Sequence, residues 1–156
     1  MIVGVLSDTH GALHPRVIEL FLSAGVQRVL HAGDVGDFGV ITLLSAHWLV
    51  TAVRGNIDTT GMVASLPREV RIEIEGIEVY MTHIGGKPAV WLPGLKKPEP
   101  RVAICGHSHV ALKEEFGGVL FLNPGAAGTQ SRFGRPQTVA IMEIIGERVN
   151  AGIYEL

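Results

Sequence analysis

The sequence predicts one α/β domain whose first half is built on a parallel sheet and whose second half is antiparallel. Three observations lead there. Short apolar runs alternate with helical stretches from Ile2 to about Val53, the pattern of strands joined by helical crossovers. From Val70 onward, apolar and charged residues alternate with a period of two around glycine turns, as hairpins require. A chain of 156 residues with no repeat or low-complexity tract suits a single core spanning 1–156.

The elements follow in order. Ile2 to Leu6 is a fully apolar run stopped by Ser-Asp-Thr-His-Gly, so it reads as a buried strand feeding a loop. A helix starts near Pro15, buries Val17, Ile18, Phe21 and Leu22, and ends at Gly25. Arg28 to His31 is a second short strand entering a Gly-Asp loop. A helix near Phe38 to Ala46 and a strand near Trp48 to Val53 repeat the unit. Val70 to Ile74 and Ile77 to Thr82 flank Gly76 as a hairpin. Val102 to Cys105 is another buried strand. Ala111 to Phe116 and Val119 to Leu122 pair around Gly117-Gly118, and Thr138 to Ile144 pairs with Val149 to Tyr154 around Gly146. The Pro88 to Pro100 segment, with four prolines, is expected to be irregular.

Composition narrows the function. A net charge of −2 offers no electrostatic attraction for nucleic acid or an anionic membrane. No apolar stretch reaches the ~18 residues of a membrane span, and the N-terminus has no basic leader. The single cysteine, Cys105, rules out an internal disulfide and a Cys-based zinc site; it fits a cytoplasmic protein and reads as a small core residue. Charged residues make up 18% of the chain, below the roughly 25% of typical domains, which suggests a homo-oligomer interface.

The chemistry lies in five pieces: Asp8-Thr9-His10, Gly33-Asp34, Gly55-Asn56-Ile57-Asp58, Thr82-His83 and Gly106-His107-Ser108-His109. Each taken alone is ordinary turn or surface sequence. Together they place four of the seven histidines, with Asp8, Asp34 and Asn56, at or beside strand ends. Seven hard or borderline donors brought together this way are what two adjacent divalent cations need.

This ordered set resembles the calcineurin-like metallophosphoesterases, and within them the small bacterial and archaeal phosphodiesterase branch without a cap domain. The resemblance runs through Asn123-Pro124-Gly125 and covers nearly the whole chain. It implies a two-sheet β-sandwich flanked by helices. It also implies that Asp8, His10, Asp34 and His109 bind one metal and that Asp34, Asn56, His83 and His107 bind the other, with Asp34 bridging. The implied activity is hydrolysis of small phosphate esters, diesters ahead of monoesters, by a metal-bridging hydroxide. Imidazole donors suit Mn²⁺, Fe²⁺, Zn²⁺ or Ni²⁺ better than an all-oxygen Mg²⁺ cage, and the donor set does not choose among them; Mn²⁺ is the first expectation, with Fe, Zn, Ni or Mg as alternatives. Three positions depart from the family pattern: Ile57 replaces a histidine proposed to protonate the leaving group, Ile84 interrupts an H-G-H, and Ala126 replaces the serine of N-P-G-S. Asp58 is then the candidate acid or ligand-orienting residue, catalytic together with Asp34 and Asn56, and Arg132 and Arg135 are candidate phosphate clamps. The rival reading is a non-catalytic protein-interaction scaffold on the same fold; a nuclease is disfavoured for want of a basic groove.

Overall fold

The first strand shows how the layers form. In β1 (Ile2–Leu6) alternate side chains point to opposite faces. Val3 and Val5 enter one core, while Leu6 joins a second core beneath the helices. Gly4 lies on that second face, where a Cβ would come within 2.5 Å of the Phe21 ring. A bare backbone there lets α1 (Arg16–Ser23) lie close against the sheet.

The computed structural model describes residues 1–130 and 134–156. After α1 come β2 (Arg28–His31), α2 (Phe38–Ser45), which Asp37 caps by accepting Gly39 N–H at 2.6 Å, and β3 (Leu49–Ala52). The second half contributes β4 (Glu69–Ile74), β5 (Ile77–Thr82), β6 (Val102–Ile104), β7 (Leu112–Phe116), β8 (Val119–Asn123), β9 (Thr138–Ile145) and β10 (Arg148–Glu155). They form two five-stranded sheets, ordered β10-β9-β1-β2-β3 and β4-β5-β6-β8-β7. Val3, Val5, Leu30 and Met142 of the first sheet pack against Val79, Met81, Ile104 and Leu122 of the second. Phe21, Leu44 and Trp48 fill the helix-side layer. The result is the expected sandwich flanked by helices.

Both sheets are mixed. β1, β2 and β3 run parallel, and the three expected hairpins are antiparallel. Between the hairpins, however, β5, β6 and β8 run parallel to one another. The last hairpin joins the first sheet, where β9 pairs antiparallel with β1. Both refinements come from pairings between distant segments, which local periodicity does not encode. The proline-rich segment is also more ordered than expected. Pro88 opens a helical turn, α3 (Pro88–Trp91), followed by a 3₁₀ turn over Leu92–Gly94. Trp91 packs on Phe121 and Tyr80, with ring centroids 5.5 and 6.3 Å away.

Among the described residues, no helix is long and apolar enough to cross a membrane.

Candidate metal centre

The carboxyl ends of parallel strands from both sheets open at one edge of the sandwich. Asp8 follows β1, Asp34 follows β2 and Asn56 follows β3; His83 follows β5, and His107 and His109 follow β6. Open sheets place ligands at this edge because the loops leaving parallel strands gather there.

The side chains form an unbroken chain of close approaches. His109 Nε2 lies 3.2 Å from Asp8 Oδ1, which is 3.9 Å from His10 Nε2. That nitrogen is 3.8 Å from Asp34 Oδ2, and the other oxygen of Asp34 is 3.2 Å from His83 Nε2. His83 Nε2 is 3.1 Å from Asn56 Oδ1, which lies 3.0 Å from His107 Nδ1. All seven donors expected from the sequence therefore meet. Two subsets, Asp8 with His10 and His109 and Asp8 with Asp34 and His83, bring their ligand atoms within 4.8 Å of one another. The two oxygens of Asp34 face different histidines, the disposition a shared carboxylate requires.

This convergence costs backbone strain. Asp8, His10, Asp34, His107 and His109 have φ between 48° and 68°, a region that costs non-glycine residues about 1–2 kcal/mol each. Glu75, in a hairpin turn, is the remaining non-glycine example among the described residues. Such strain persists where the surroundings hold it, and here they do. Asp8 Oδ2 is 2.7 Å from Ser7 Oγ and accepts His107 N–H at 3.0 Å. Asn123 donates to Gly106 O at 2.8 Å and accepts Gly125 N–H at 2.9 Å, bracing the Gly-His-Ser-His loop. Gly55 lies so close to Asp34 that an added Cβ would collide with its Oδ1 and backbone nitrogen.

The donor atoms suit a cation. Asp8 Oδ1 is buried without a hydrogen-bond donor, and an unsatisfied carboxylate oxygen there is unfavourable unless a positive charge faces it. Burial pushes the Asp8 carboxyl up, outweighing the Ser7 and His107 hydrogen bonds. Asp34 goes the other way: burial opposes ionisation, but the hydrogen bonds from His83 and from Ile57 N–H at 3.1 Å hold its carboxyl low. Burial pulls His83 down, yet the bonds to Asp34 and to Ala32 O leave it raised overall. His83 Nδ1 donates to Ala32 O at 2.8 Å, so Nε2 faces the cluster, and a metal there would displace its proton.

Other sequence candidates fall differently. Asp58 is buried, and its carboxylate accepts Val35, Gly36 and Gly55 N–H at 3.0, 2.8 and 2.7 Å. A carboxylate occupied in this way ties two ligand loops together, in keeping with the ligand-orienting role of the two expected for it. Arg135 is exposed and donates to Ser108 O at 3.1 Å; Arg132 lies outside the described residues. Burial pushes the Cys105 thiol up to about 11, consistent with an inert core residue. The bracing by Asn123 was signalled only by its place in the Asn123-Pro124-Gly125 segment, and that by Ser7 only by adjacency to Asp8.

His31 is fully buried beneath the site. Thr9 Oγ1 donates to Val35 O, so His31 Nε2–H donates to Thr9 Oγ1 at 3.0 Å while Nδ1 accepts Gly33 N–H. The ring is neutral, and burial lowers its pKa to about 4. The unfolded chain takes up this proton near its ordinary value of about 6.5, whereas the folded one refuses it until about 4. Stability from this residue is therefore present at neutral pH and lost as pH falls from about 6.5 to 4, by roughly 3 kcal/mol. Urea unfolding in chelator should show this slope in the wild type and a shallower one in His31→Gln; equal slopes would contradict the assignment.

A model of the calcineurin-like phosphoesterase superfamily domain matches residues 1–147. The chain belongs to the calcineurin-like phosphoesterase superfamily. Within that superfamily it is 33% identical over 137 residues to a protein of Methanocaldococcus jannaschii named probable metallophosphoesterase, covering 81% of this chain and 68% of that one. A second protein of that name, from Methanothermobacter thermautotrophicus, is 31% identical over 163 aligned positions, covering 98% and 91%. Phosphodiesterase YfcE of Escherichia coli K12 is 28% identical over 160, covering 88% and 84%. Among solved structures, a novel archaeal phosphodiesterase superposes with a TM-score of 0.78 at 25% identity, covering 99% and 100%. Chaetomium thermophilum Vps29 superposes with 0.84 at 20% identity, covering 100% and 86%, which shows a common fold.

Proposed function

We propose that this protein is a metal-dependent phosphodiesterase acting on small phosphate esters, with two divalent cations held by Asp8, His10, Asp34, Asn56, His83, His107 and His109. The observation that carries the reading is the continuous run of seven donors with the two oxygens of Asp34 facing different histidines. Relatives named as phosphodiesterases support diesters over monoesters. When bound, the cations would supply a nucleophile at neutral pH and neutralise charge on the phosphate. Manganese is the cation to supply first, and the mixed imidazole and carboxylate set also accommodates iron, zinc or nickel.

The protein's own part is positioning. His83 is oriented by Ala32, Asp8 by Ser7 and the His107 amide, and Asp34 by the Ile57 amide. These bonds fix each donor before substrate arrives, so little reorganisation accompanies reaction. Every expected position here holds a competent ligand, which favours the enzyme over a scaffold of the same fold.

Ile57 is partly exposed beside Asn56 and has no proton to donate. Esters whose leaving group needs no protonation are therefore expected to react fastest. With Mn²⁺, bis(p-nitrophenyl) phosphate should be hydrolysed, and chelator should abolish the rate. Its kcat/KM should exceed that of a dialkyl phosphodiester, which must expel an alkoxide, by at least about a hundredfold, the usual contribution of a general acid. No metal-dependent hydrolysis of any diester would refute the reading; equal rates for both leaving groups would refute the role given to Ile57.

A further inference from the structure

Beside the donor cluster lies a cavity of about 500 Å³ that shares Asn56 and His83 with it, within the size range of small-molecule sites. Two arginines line it. Arg54 follows β3 of the first sheet and Arg68 precedes β4 of the second; Arg54 N–H donates to Pro67 O at 2.9 Å, which sets the two side by side. Thr82 Oγ1 donates to Arg68 O at 3.3 Å and pins that end of the ladder. One Arg54 nitrogen donates to Ala64 O at 3.0 Å, which holds the guanidinium in place. Neither guanidinium is paired with a carboxylate among the described residues. Asp58, the one acid on the wall, has its oxygens occupied by backbone N–H groups. Thr59 and Thr82 add hydroxyls. Two unpaired guanidiniums with flanking hydroxyls make a wall suited to an anion, because arginine presents several donors in a planar fork.

We propose that the Arg54–Arg68 cavity is an anion subsite, so that the preferred substrate is a phosphodiester carrying a second phosphate on the group bound there. The inference rests on the phosphodiesterase reading and names the substrate class of that same site. The scissile phosphate lies at the donor cluster, and the second phosphate reaches the arginines across Asn56 and His83.

The test compares the p-nitrophenyl ester of thymidine 5′-phosphate with the same ester bearing a 3′-phosphate, using the Mn²⁺-loaded protein. Both release p-nitrophenolate, so their kcat/KM ratio reports the distal phosphate alone. The phosphorylated ester should be favoured at least about tenfold, as charge-assisted hydrogen bonds allow. In Arg68→Ala the ratio should fall towards one. It should persist in Arg148→Ala, which removes an arginine from the opposite end of the first sheet. A wild-type ratio near one, or an undiminished ratio in Arg68→Ala, would overturn the subsite while leaving the phosphodiesterase intact. Should neither ester be cleaved, hydrolysis of bis(p-nitrophenyl) phosphate decides the phosphodiesterase reading, and calorimetry decides the subsite separately. Thymidine 3′,5′-bisphosphate binding at least tenfold tighter than thymidine 5′-monophosphate, with the difference lost in Arg68→Ala, would support it; equal binding would overturn it.

Discussion

Asp34→Asn is expected to reduce diester hydrolysis by at least about a thousandfold and to leave the protein folded with less metal bound. The substitution is isosteric, and its amide oxygen can still accept the Ile57 N–H that Asp34 now receives at 3.1 Å. What disappears is the negative charge between His10 and His83, each of which faces a different oxygen of this carboxylate. A neutral amide cannot offer two anionic oxygens to two cations, so both sites weaken together. Elemental analysis after dialysis, paired with turnover of an aryl diester, measures this directly. Full metal content with near-normal turnover would remove the bridging role. Loss of one equivalent alone would place Asp34 in a single site.

Asp58→Ala should produce the largest stability effect of any polar substitution near the site. The wild-type carboxylate satisfies three backbone N–H groups, two from the Asp34 loop and one from Gly55. Alanine removes the acceptor from all three, at a buried Val35, a half-buried Gly55 and an exposed Gly36. The expected loss is about 2–4 kcal/mol, which for a domain this size is a melting-temperature decrease of roughly 5–12 °C. Asparagine keeps one acceptor oxygen and should fall between. Thermal unfolding in chelator separates this effect from metal binding. A general acid would behave otherwise: its removal would leave stability nearly unchanged and slow alkyl esters selectively.

Much of the fold was legible because the signals are local. The runs at Ile2–Leu6 and Arg28–His31, the alternation around Gly76 and the glycine pair at 117–118 each report the backbone of their own segment. Element ends moved by a residue or two, as at β3, where the expected Trp48–Val53 became Leu49–Ala52 because Trp48 turns into the helix-side core and donates its indole N–H to Val26 O. The proline-rich segment was harder to read. Proline forbids the interior of a helix but favours its first position, so Pro88 both interrupted the pattern and began a turn.

The candidate site was legible for a different reason. Carboxylate, amide and imidazole donors clustered at strand ends are costly as packing and useful as ligands, so their identity and order point to the chemistry before any coordinates. Asp58 was ambiguous because a carboxylate after a Gly-Asn turn can donate a proton, bind an ion or accept backbone N–H groups. Only the positions of Val35, Gly36 and Gly55 distinguish these roles.

The chain's residue types determined which donors exist, that they emerge from strand ends and that no histidine follows Asn56. The tertiary structure decided that β5 and β6 run parallel, which brings His83, His107 and His109 to the same edge as Asp8 and Asp34. It also decided that Arg54 and Arg68 share a wall, through one backbone bond between the two sheets. The reason is physical: side-chain chemistry is a property of single residues, whereas strand order and the meeting of distant loops arise from burying one common core.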